Sequence, residues 1–175
     1  MSEASDSNAD QSAIAQAKHA ARARARQARD GVVQTERRAA AHALAFVLLE
    51  LPELRRATTI LAYASLPNEL DPMPAIWRLR KRGVRISYPR IESPGVLGLH
   101  YVDHEMELVP GPFGLAQPSE HAAHAPHDLV DGIIIPGVAF DEQLLPHIPA
   151  EEHDAGVDVV VTPSRIIRPD TPRRF

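Results

Sequence analysis

The chain has 175 residues, of which 44% are hydrophobic and 24% charged, and its formal net charge is −4. This composition is typical of one globular domain, and the negative charge argues against general affinity for nucleic acid or anionic membranes. The absence of cysteine excludes disulfides, thiolate metal sites and cysteine nucleophiles. The sequence contains neither a run of roughly 20 apolar residues nor a signal-peptide pattern, so we expect a cytoplasmic protein.

Two helices are predicted in the first third of the chain. Residues 1–12 are small, polar and without periodicity, which predicts a disordered tail. Residues 14–28 are rich in Ala, Arg and Gln, which favours a helix. Apolar residues at helical spacing predict a second helix over residues 35–50, with Thr35 as its N-cap.

A βαβ unit is predicted in the middle of the chain. The segments "TTILAYAS" (58–65) and "VRISYP" (84–89) have the length and composition of strands. The segment "DPMPAIWRLRKRG" (71–83) between them predicts a helix. Because such a crossover joins parallel strands, we expect a parallel sheet, with a further short strand at residues 97–102.

The second half predicts a loop followed by two buried strands. Residues 107–120 are rich in proline and glycine, which is typical of a loop. The apolar runs at 129–140 and 157–162 are typical of central strands covered on both faces. We therefore expect one α/β domain over residues 13–168, with three layers built around a mainly parallel sheet, and a tail over residues 169–175.

Cationic side chains line the first predicted helix. Lys18 and Arg22 are four residues apart and therefore share one helix face. A solvated surface helix explains this pattern, and so does a pair of cations aimed at a polyphosphate. A nucleic-acid-binding module is a third interpretation, but the net charge and the lack of interleaved aromatic residues argue against it.

Two carboxylates and three histidines are candidate ligands. Glu69 follows the first strand, where parallel sheets bind ligands, although an acid there also suits the start of a helix. Asp154 is either a turn residue or a ligand for a hard cation such as Mg²⁺. The spacing of His121, His124 and His127 is compatible with metal binding, but their proline-containing surroundings favour solvated loop histidines.

Six short segments together carry a family resemblance. They are "KHAAR" (18–22), "LPNELDP" (66–72), "RISYPRI" (85–91), "GPFGLAQP" (111–118), "DGIIIPGVAFD" (131–141) and "LLPHIPAEEHDAGVDVVVTP" (144–163). Their order along residues 15–165 resembles the 5-formyltetrahydrofolate cyclo-ligase family, whose members are also called 5,10-methenyltetrahydrofolate synthetases.

The resemblance implies an ATP-dependent reaction of one-carbon metabolism. In that family ATP phosphorylates the formyl oxygen of 5-formyltetrahydrofolate. N10 then attacks the activated carbon, and ring closure expels phosphate and gives 5,10-methenyltetrahydrofolate. Because catalysis of this kind rests on positioning and charge neutralisation, ATP and Mg²⁺ are the implied cofactors.

The resemblance also assigns roles to individual residues. Lys18 and Arg22 match the N-terminal ATP contacts of the family, and Asp154 matches a magnesium-linked aspartate. Four further residues match positions that line the folate pocket or, in the case of Arg90, that contact either phosphate or folate. These four residues are Glu69, Ala64, Phe113 and Arg90.

One part of the family pattern is missing. In the family, "PGVAFD" is followed by a glycine-rich stretch that cradles ATP phosphates, and then by a helix and a strand ending in a phrase like "AFDEQ". Here "PGVAFDEQ" (136–143) occurs once, so roughly 30–40 residues, the size of one crossover unit, are absent. A deletion, a segment missing from the sequence as read, and a natural variant all explain this pattern.

The missing stretch predicts a fold that lacks one strand and one crossover helix of the family. The link from Phe140 to Val157 is long enough for a parallel crossover, so we expect the last strand to close a smaller sheet. Apolar surface once covered by the lost helix would be exposed. Much of the triphosphate cradle would be gone, whereas Glu69 and Phe113 lie elsewhere and would keep part of a folate pocket.

Two functions follow from these considerations. The first is the ATP-dependent conversion of 5-formyltetrahydrofolate to 5,10-methenyltetrahydrofolate. The second is a non-catalytic, folate-binding remnant of the same family. For either function we expect a monomer that binds neither nucleic acid nor membrane.

Overall fold

The computed structural model describes residues 3–135, 140–146, 148–151 and 154–169, with side chains from residue 12 onward apart from Met106. Helices account for most of the first eighty residues of this described part. They are α1 (Glu3–Gly31), α2 (Gln34–Glu50), α3 (Pro52–Arg56) and α4 (Met73–Lys81).

The helices differ from their predictions mainly at their ends. The backbone of residues 3–12, predicted as a disordered tail, is helical in the structure and forms the first part of α1. No proline or glycine in this stretch interrupts helical hydrogen bonding. Thr35 lies inside the first turn of α2, and the N-cap position is held by Val33, which makes no side-chain hydrogen bond to the helix.

The main sheet has four strands in the order β3-β2-β1-β6. In this sheet β1 (Thr59–Leu61) pairs in parallel with both β2 (Arg85–Ser93) and β6 (Gly132–Ile133). By contrast, β3 (Val96–Tyr101) runs antiparallel to β2. The predicted βαβ unit is confirmed, because α4 connects β1 to β2. The result is an α/β fold with a mainly parallel sheet flanked by helices.

A small hairpin lies within residues 107–120, which the sequence predicts as a loop. Its strands are β4 (Leu108–Pro110) and β5 (Ala116–Pro118), which pair antiparallel to each other. Pro110 and Pro118 end the two strands, a position where a strand tolerates the missing N–H of proline. The composition therefore predicted the turn but gave no indication of the short strands β4 and β5 that flank it.

The last predicted strand does not join the main sheet, so that prediction was wrong. Residues 160 and 161 form β7 (Val160–Val161), which pairs antiparallel with β8 (Ile166–Ile167) in a separate two-stranded sheet. Pro163 ends β7, and the Thr162 amide donates a hydrogen bond to the Arg165 carbonyl across the turn. The chain thus turns back on itself instead of extending beside β6.

The hydrophobic core packs α2 and α4 against the main sheet. Leu44, Ile60, Ile76 and Leu79 are fully buried, and burial of each such side chain stabilises the fold by roughly 1.5–3 kcal/mol. Near the edge of the sheet at β6, by contrast, Ile133 is 62% exposed and Ile135 45% exposed. Among the described residues, no helix is long and apolar enough to cross a membrane.

Candidate functional site

The loop after β1 places Glu69 at the carboxyl edge of the sheet. Its Oε2 accepts a hydrogen bond of 2.9 Å from the Leu66 amide, and the Glu69 amide donates to the Leu66 carbonyl at 2.9 Å. Its other oxygen lies 3.9 Å from a guanidinium nitrogen of Arg29 on α1, and the side chain is 21% exposed. Glu69 is therefore an oriented carboxylate whose remaining lone pairs face an accessible edge.

The residues around Glu69 are held in place by core packing and by a hydrogen bond. Ala64 is half-buried and packs against the core, so it presents only a methyl group. The Tyr63 hydroxyl donates to the Leu70 carbonyl at 2.8 Å. Burial, followed by the charges of Glu69 and Asp71, raises the pKa of Tyr63 well above its usual value, which keeps this phenol neutral. Both predicted residues of this loop, Ala64 and Glu69, thus lie at the same edge.

A second group of predicted residues meets near the C-terminus. The Lys18 ammonium lies 2.6 Å from Asp154 Oδ2 and also forms an ion pair with Glu151. The Glu151 amide donates to Asp154 Oδ2 at 2.8 Å, so the two carboxylates are held side by side. Hydrogen bonds to Asp154 and Glu151 raise the pKa of Lys18. The predicted ATP-binding cation and the predicted magnesium ligand are therefore brought together by the fold.

Arg22 lies one helical turn beyond Lys18, and its side chain is exposed. Within the described part of the chain it forms no hydrogen bond or ion pair. Its guanidinium is therefore available to an anion that approaches this face of α1.

The donors near Lys18 suit Mg²⁺ only in the company of a phosphate. Among the described residues, no group of three or more His, Asp or Glu side chains could hold a metal ion. However, Mg²⁺ is commonly held by one or two carboxylates together with substrate phosphates and water. Asp154 and Glu151 fit that donor set if the Lys18 ammonium, which now bridges them, turns to the phosphates.

Phe113 and Arg90 belong to a third region, the β4–β5 hairpin and the strand beneath it. Phe113 lies in the turn between β4 and β5, with φ at 60° and 88% of the side chain exposed. The Arg90 guanidinium donates to the Pro118 carbonyl at 2.7 Å. Arg90 therefore binds the hairpin, and its contact with phosphate or folate stays a prediction. Within the described residues, neither a hydrogen bond nor an ion pair joins Phe113 or Arg90 to Glu69 or to Lys18.

The three spaced histidines are surface residues, as the alternative interpretation of the sequence predicted. His121, His124 and His127 are all exposed. The neighbouring His100 is buried, and it donates through Nδ1 to the Ala122 carbonyl at 2.8 Å while its Nε2 lies 3.2 Å from Glu92. This histidine ties the 119–127 segment to β3.

A cleft of about 540 Å³ opens beside the segment that follows Phe140. It lies between α1, α2 and residues 142–146, and Arg24, Glu36 and Glu142 contribute charges to its wall. The side-chain Nε2 of Gln143 donates to the Ala25 carbonyl at 3.2 Å and so fixes this segment on α1. None of the seven predicted site residues lines the cleft.

Fold and site together define an α/β protein with a mainly parallel sheet and an oriented carboxylate at its carboxyl edge. The chain belongs to the 5-formyltetrahydrofolate cyclo-ligase family, whose sequence profile matches residues 14–143. The matched region ends at Gln143, the last residue of "PGVAFDEQ". No curated protein sequence matches the chain.

A solved structure of a bacterial enzyme has a similar fold. The NMR structure of Aquifex aeolicus 5,10-methenyltetrahydrofolate synthetase matches with a TM-score of 0.75 and 23% sequence identity. The match covers 90% of this chain and 95% of that chain. At this level of identity, the likeness establishes the fold alone.

Sequence reasoning missed three residues that hold the predicted site in place. Glu151 pairs with Lys18, Arg29 approaches Glu69, and Gln117 contacts β2. A signal existed for Glu151, which precedes Asp154 by three residues in the acidic segment "EEHD" (151–154). For Arg29 and Gln117 the contacts are between distant parts of the chain, and no local pattern predicts them.

Proposed function

We propose that this chain is a 5-formyltetrahydrofolate cyclo-ligase, which converts 5-formyltetrahydrofolate and ATP to 5,10-methenyltetrahydrofolate, ADP and phosphate. The observation that carries the proposal is the meeting of Lys18 with Asp154 and Glu151. These residues come from opposite ends of the chain and supply the charges that a nucleotide and its cation require. We place this activity in the cytoplasm and assign it to a monomer.

The nucleotide end of the site uses the cations of α1. The positive side chains of Lys18 and the exposed Arg22 would bind the phosphates. Asp154 and Glu151 would hold Mg²⁺ through carboxylate oxygens. When bound, Mg²⁺ would neutralise phosphate charge as the phosphoryl group is transferred. Lys18 exchanges its carboxylate partners for phosphate oxygens as the nucleotide binds.

The folate end of the site uses the carboxyl edge of the sheet. The pterin ring carries N–H donors, and the Glu69 carboxylate, already oriented by the Leu66 amide, accepts hydrogen bonds from them. Ala64 leaves room for a flat ring, and Phe113 offers an exposed aromatic face to stack on it. These contacts fix the formyl group relative to the nucleotide.

A second candidate function, folate binding without turnover, is favoured by one observation. The chain passes from Phe140 directly to the turn Asp141–Gln143, without the glycine-rich stretch that cradles phosphates in the family. Instead of a phosphate-binding loop, an open cleft lies beside this turn. In this function Glu69, Ala64 and Phe113 keep their roles, and the Lys18 cluster is a structural ion pair.

One experiment separates the two functions. Purified chain with the intact mass of all 175 residues is incubated with 5-formyltetrahydrofolate, ATP and Mg²⁺, and product is followed by absorbance. ATP-dependent product supports the cyclo-ligase. Calorimetric binding of folate without product supports the second function, and the absence of both overturns both.

A matched pair of variants tests the folate end. Glu69→Gln removes the acceptor charge and is expected to weaken folate binding at least about tenfold. Glu120→Gln removes a carboxylate whose side chain is 72% exposed and is expected to leave binding unchanged. Equal affinity in Glu69→Gln and the unaltered chain would reject the assignment of Glu69.

A further inference from the structure

Two reciprocal hydrogen bonds fasten the β4–β5 hairpin to β2. The Arg90 side chain donates to the Pro118 carbonyl at 2.7 Å, and the Ile91 amide donates to Gln117 Oε1 at 3.2 Å. Each link joins a side chain to a main-chain atom. Arg90 and Ile91 are adjacent on β2, and Gln117 and Pro118 are adjacent on β5. We call this pair of links the hairpin latch.

Gln117 is the buried member of the latch. Only 8% of the residue is exposed, although glutamine is normally a surface residue. A buried side-chain amide needs hydrogen-bond partners, and the Ile91 amide satisfies its oxygen. The side-chain oxygen of Gln117 therefore serves as a buried hydrogen-bond acceptor for the backbone of β2.

The hairpin closes tightly over the Gln117 side chain. A Cβ added to Gly111 would lie 2.7 Å from both Cγ and Cδ of Gln117, closer than side-chain carbons approach. The Gly111 amide donates to the Leu115 carbonyl at 2.7 Å, which closes the turn that contains Phe113. Glycine at this position thus lets the hairpin fold down onto the latch.

The latch lies at the same end of the sheet as the predicted folate residues. Ladder pairing of β1 with β2 covers Arg85–Ser87, whereas Ile91 lies four residues further toward the carboxyl end of β2. Because β1 and β2 are parallel, this end is also where the chain leaves β1 toward Ala64 and Glu69. The latch therefore fastens the hairpin that carries Phe113 to β2 at that end of the sheet.

We infer that Gln117 is a positioning residue for folate, which acts through Phe113 by fastening the hairpin to β2. The inference rests on the proposed folate site and adds a specificity element to it. Phe113 has a left-handed backbone, which costs energy for a residue with a Cβ and persists where the surroundings enforce it. The hydrogen bond from Gly111 to Leu115 closes the turn that holds this conformation, and the latch, to which Arg90 contributes, fastens that turn to β2.

A double-mutant cycle tests whether Gln117 acts through Phe113. Gln117→Met keeps the side-chain volume but removes the acceptor, and calorimetry with 5-formyltetrahydrofolate is expected to show affinity reduced about tenfold. In a Phe113→Ala background the same change is expected to have no further effect. Additive losses in the double variant would overturn the inference, because Gln117 would then act independently of the ring.

Rescue by a conservative change separates positioning from general packing. Gln117→Glu keeps an acceptor for the Ile91 amide and is expected to bind folate within about threefold of the unaltered chain. Gly111→Ala is expected to weaken folate binding as Gln117→Met does, because its methyl group displaces the latch. Full folate affinity in both Gly111→Ala and Gln117→Met would contradict the role of the latch.

Hydrogen exchange tests the latch without folate. Gln117→Met is expected to speed exchange of the β4 and β5 amides about tenfold and to leave the α2 amides unchanged. Equal hairpin exchange in the variant and the unaltered chain would overturn the latch itself. Failure of the unaltered chain to bind folate would instead overturn the proposed function, and with it the role of Gln117 toward the ligand.

Discussion

The ammonium of Lys18 lies 2.6 Å from the carboxylate of Asp154, which joins α1 to the segment just before β7. Glu151 completes the cluster, and the Lys18 side chain is only 12% exposed. The ion pair does two things for the proposed function. It fixes the C-terminal segment on α1. It also places the Lys18 ammonium beside the carboxylate oxygens that would hold Mg²⁺.

The Lys18 cluster predicts a stability change at high pH. Because its carboxylate partners raise the pKa of Lys18, the charged form stabilises the fold below the ordinary lysine pKa of about 10.4. This contribution is lost as pH rises through the folded-state pKa. Urea midpoints of Lys18→Met should therefore fall below those of the unaltered chain at about pH 8, and the gap should close as the pH rises beyond the ordinary lysine pKa.

Arg22→Met is the matched control for this measurement. It removes a cation from the same helix face, and Arg22 has no ion pair within the described residues. Its urea midpoint should follow that of the unaltered chain across the same pH range. A gap for Lys18→Met that stays constant with pH would show that the ion pair is not the cause.

The hydrogen bonds of Asp131 predict that stability is lost at low pH, the opposite of the dependence expected for Lys18. Its Oδ2 accepts hydrogen bonds from the Thr58 amide at 2.6 Å, the Thr58 hydroxyl at 2.8 Å and the Thr59 amide at 3.0 Å. These bonds, the Thr58 amide first, lower the pKa of Asp131. The stabilisation is present above the ordinary aspartate pKa of about 3.9 and is lost as pH falls through the folded-state pKa.

Asp131→Ala should therefore lower the urea midpoint at about pH 7, and the difference should shrink below about pH 4. Asp128→Ala is the control, because Asp128 is exposed and unpaired in the described part of the chain. A difference between Asp131→Ala and the unaltered chain that persists undiminished in acid would contradict this account.

Two adjacent residues of α4 predict contrasting effects on stability. Ile76 is fully buried, and Ile76→Ala should cost roughly 2–5 kcal/mol of unfolding free energy. Trp77 is 54% exposed and has the Lys81 ammonium 4.0 Å from its ring centre, so Trp77→Ala should cost no more than about 1 kcal/mol. Urea titration of both variants checks the difference, and equal losses would show that α4 packs with another face.

The sequence predicted the βαβ unit because each of its parts has a local signal. The apolar run that becomes β1, the amphipathic pattern of α4 and the turn at Gly83 are visible in short windows. Glu69 was then placed by a general rule about the carboxyl ends of parallel strands, and Ala64 by the family resemblance. Local pattern and topology together were enough for this part of the fold, and they place both residues in the loop after β1.

Long-range contacts explain where the prediction failed. The apolar run at 157–162 resembles a central strand, but pairing partners are not encoded locally, and Pro163 turns the chain back to form β7 and β8. The predicted contact of Arg90 with phosphate or folate stays a prediction, but its hydrogen bond to the Pro118 carbonyl was not foreseen, because that carbonyl belongs to a hairpin distant in sequence. The Lys18 cluster was predicted only as separate residues, since their meeting depends on the whole fold.

The edge of the sheet at β6 carries the last prediction. Within the described ranges, no strand pairs with the side of β6 that faces away from β1, and Ile133 on this strand is 62% exposed. An open edge with an exposed β-branched residue is a site for intermolecular strand pairing. Ile133→Lys should therefore reduce light scattering of concentrated samples while leaving the urea midpoint close to that of the unaltered chain.

Ile148→Lys is the control, because Ile148 is 65% exposed but lies outside the strands. If both variants reduced scattering equally, added charge rather than the open edge of β6 would be the cause.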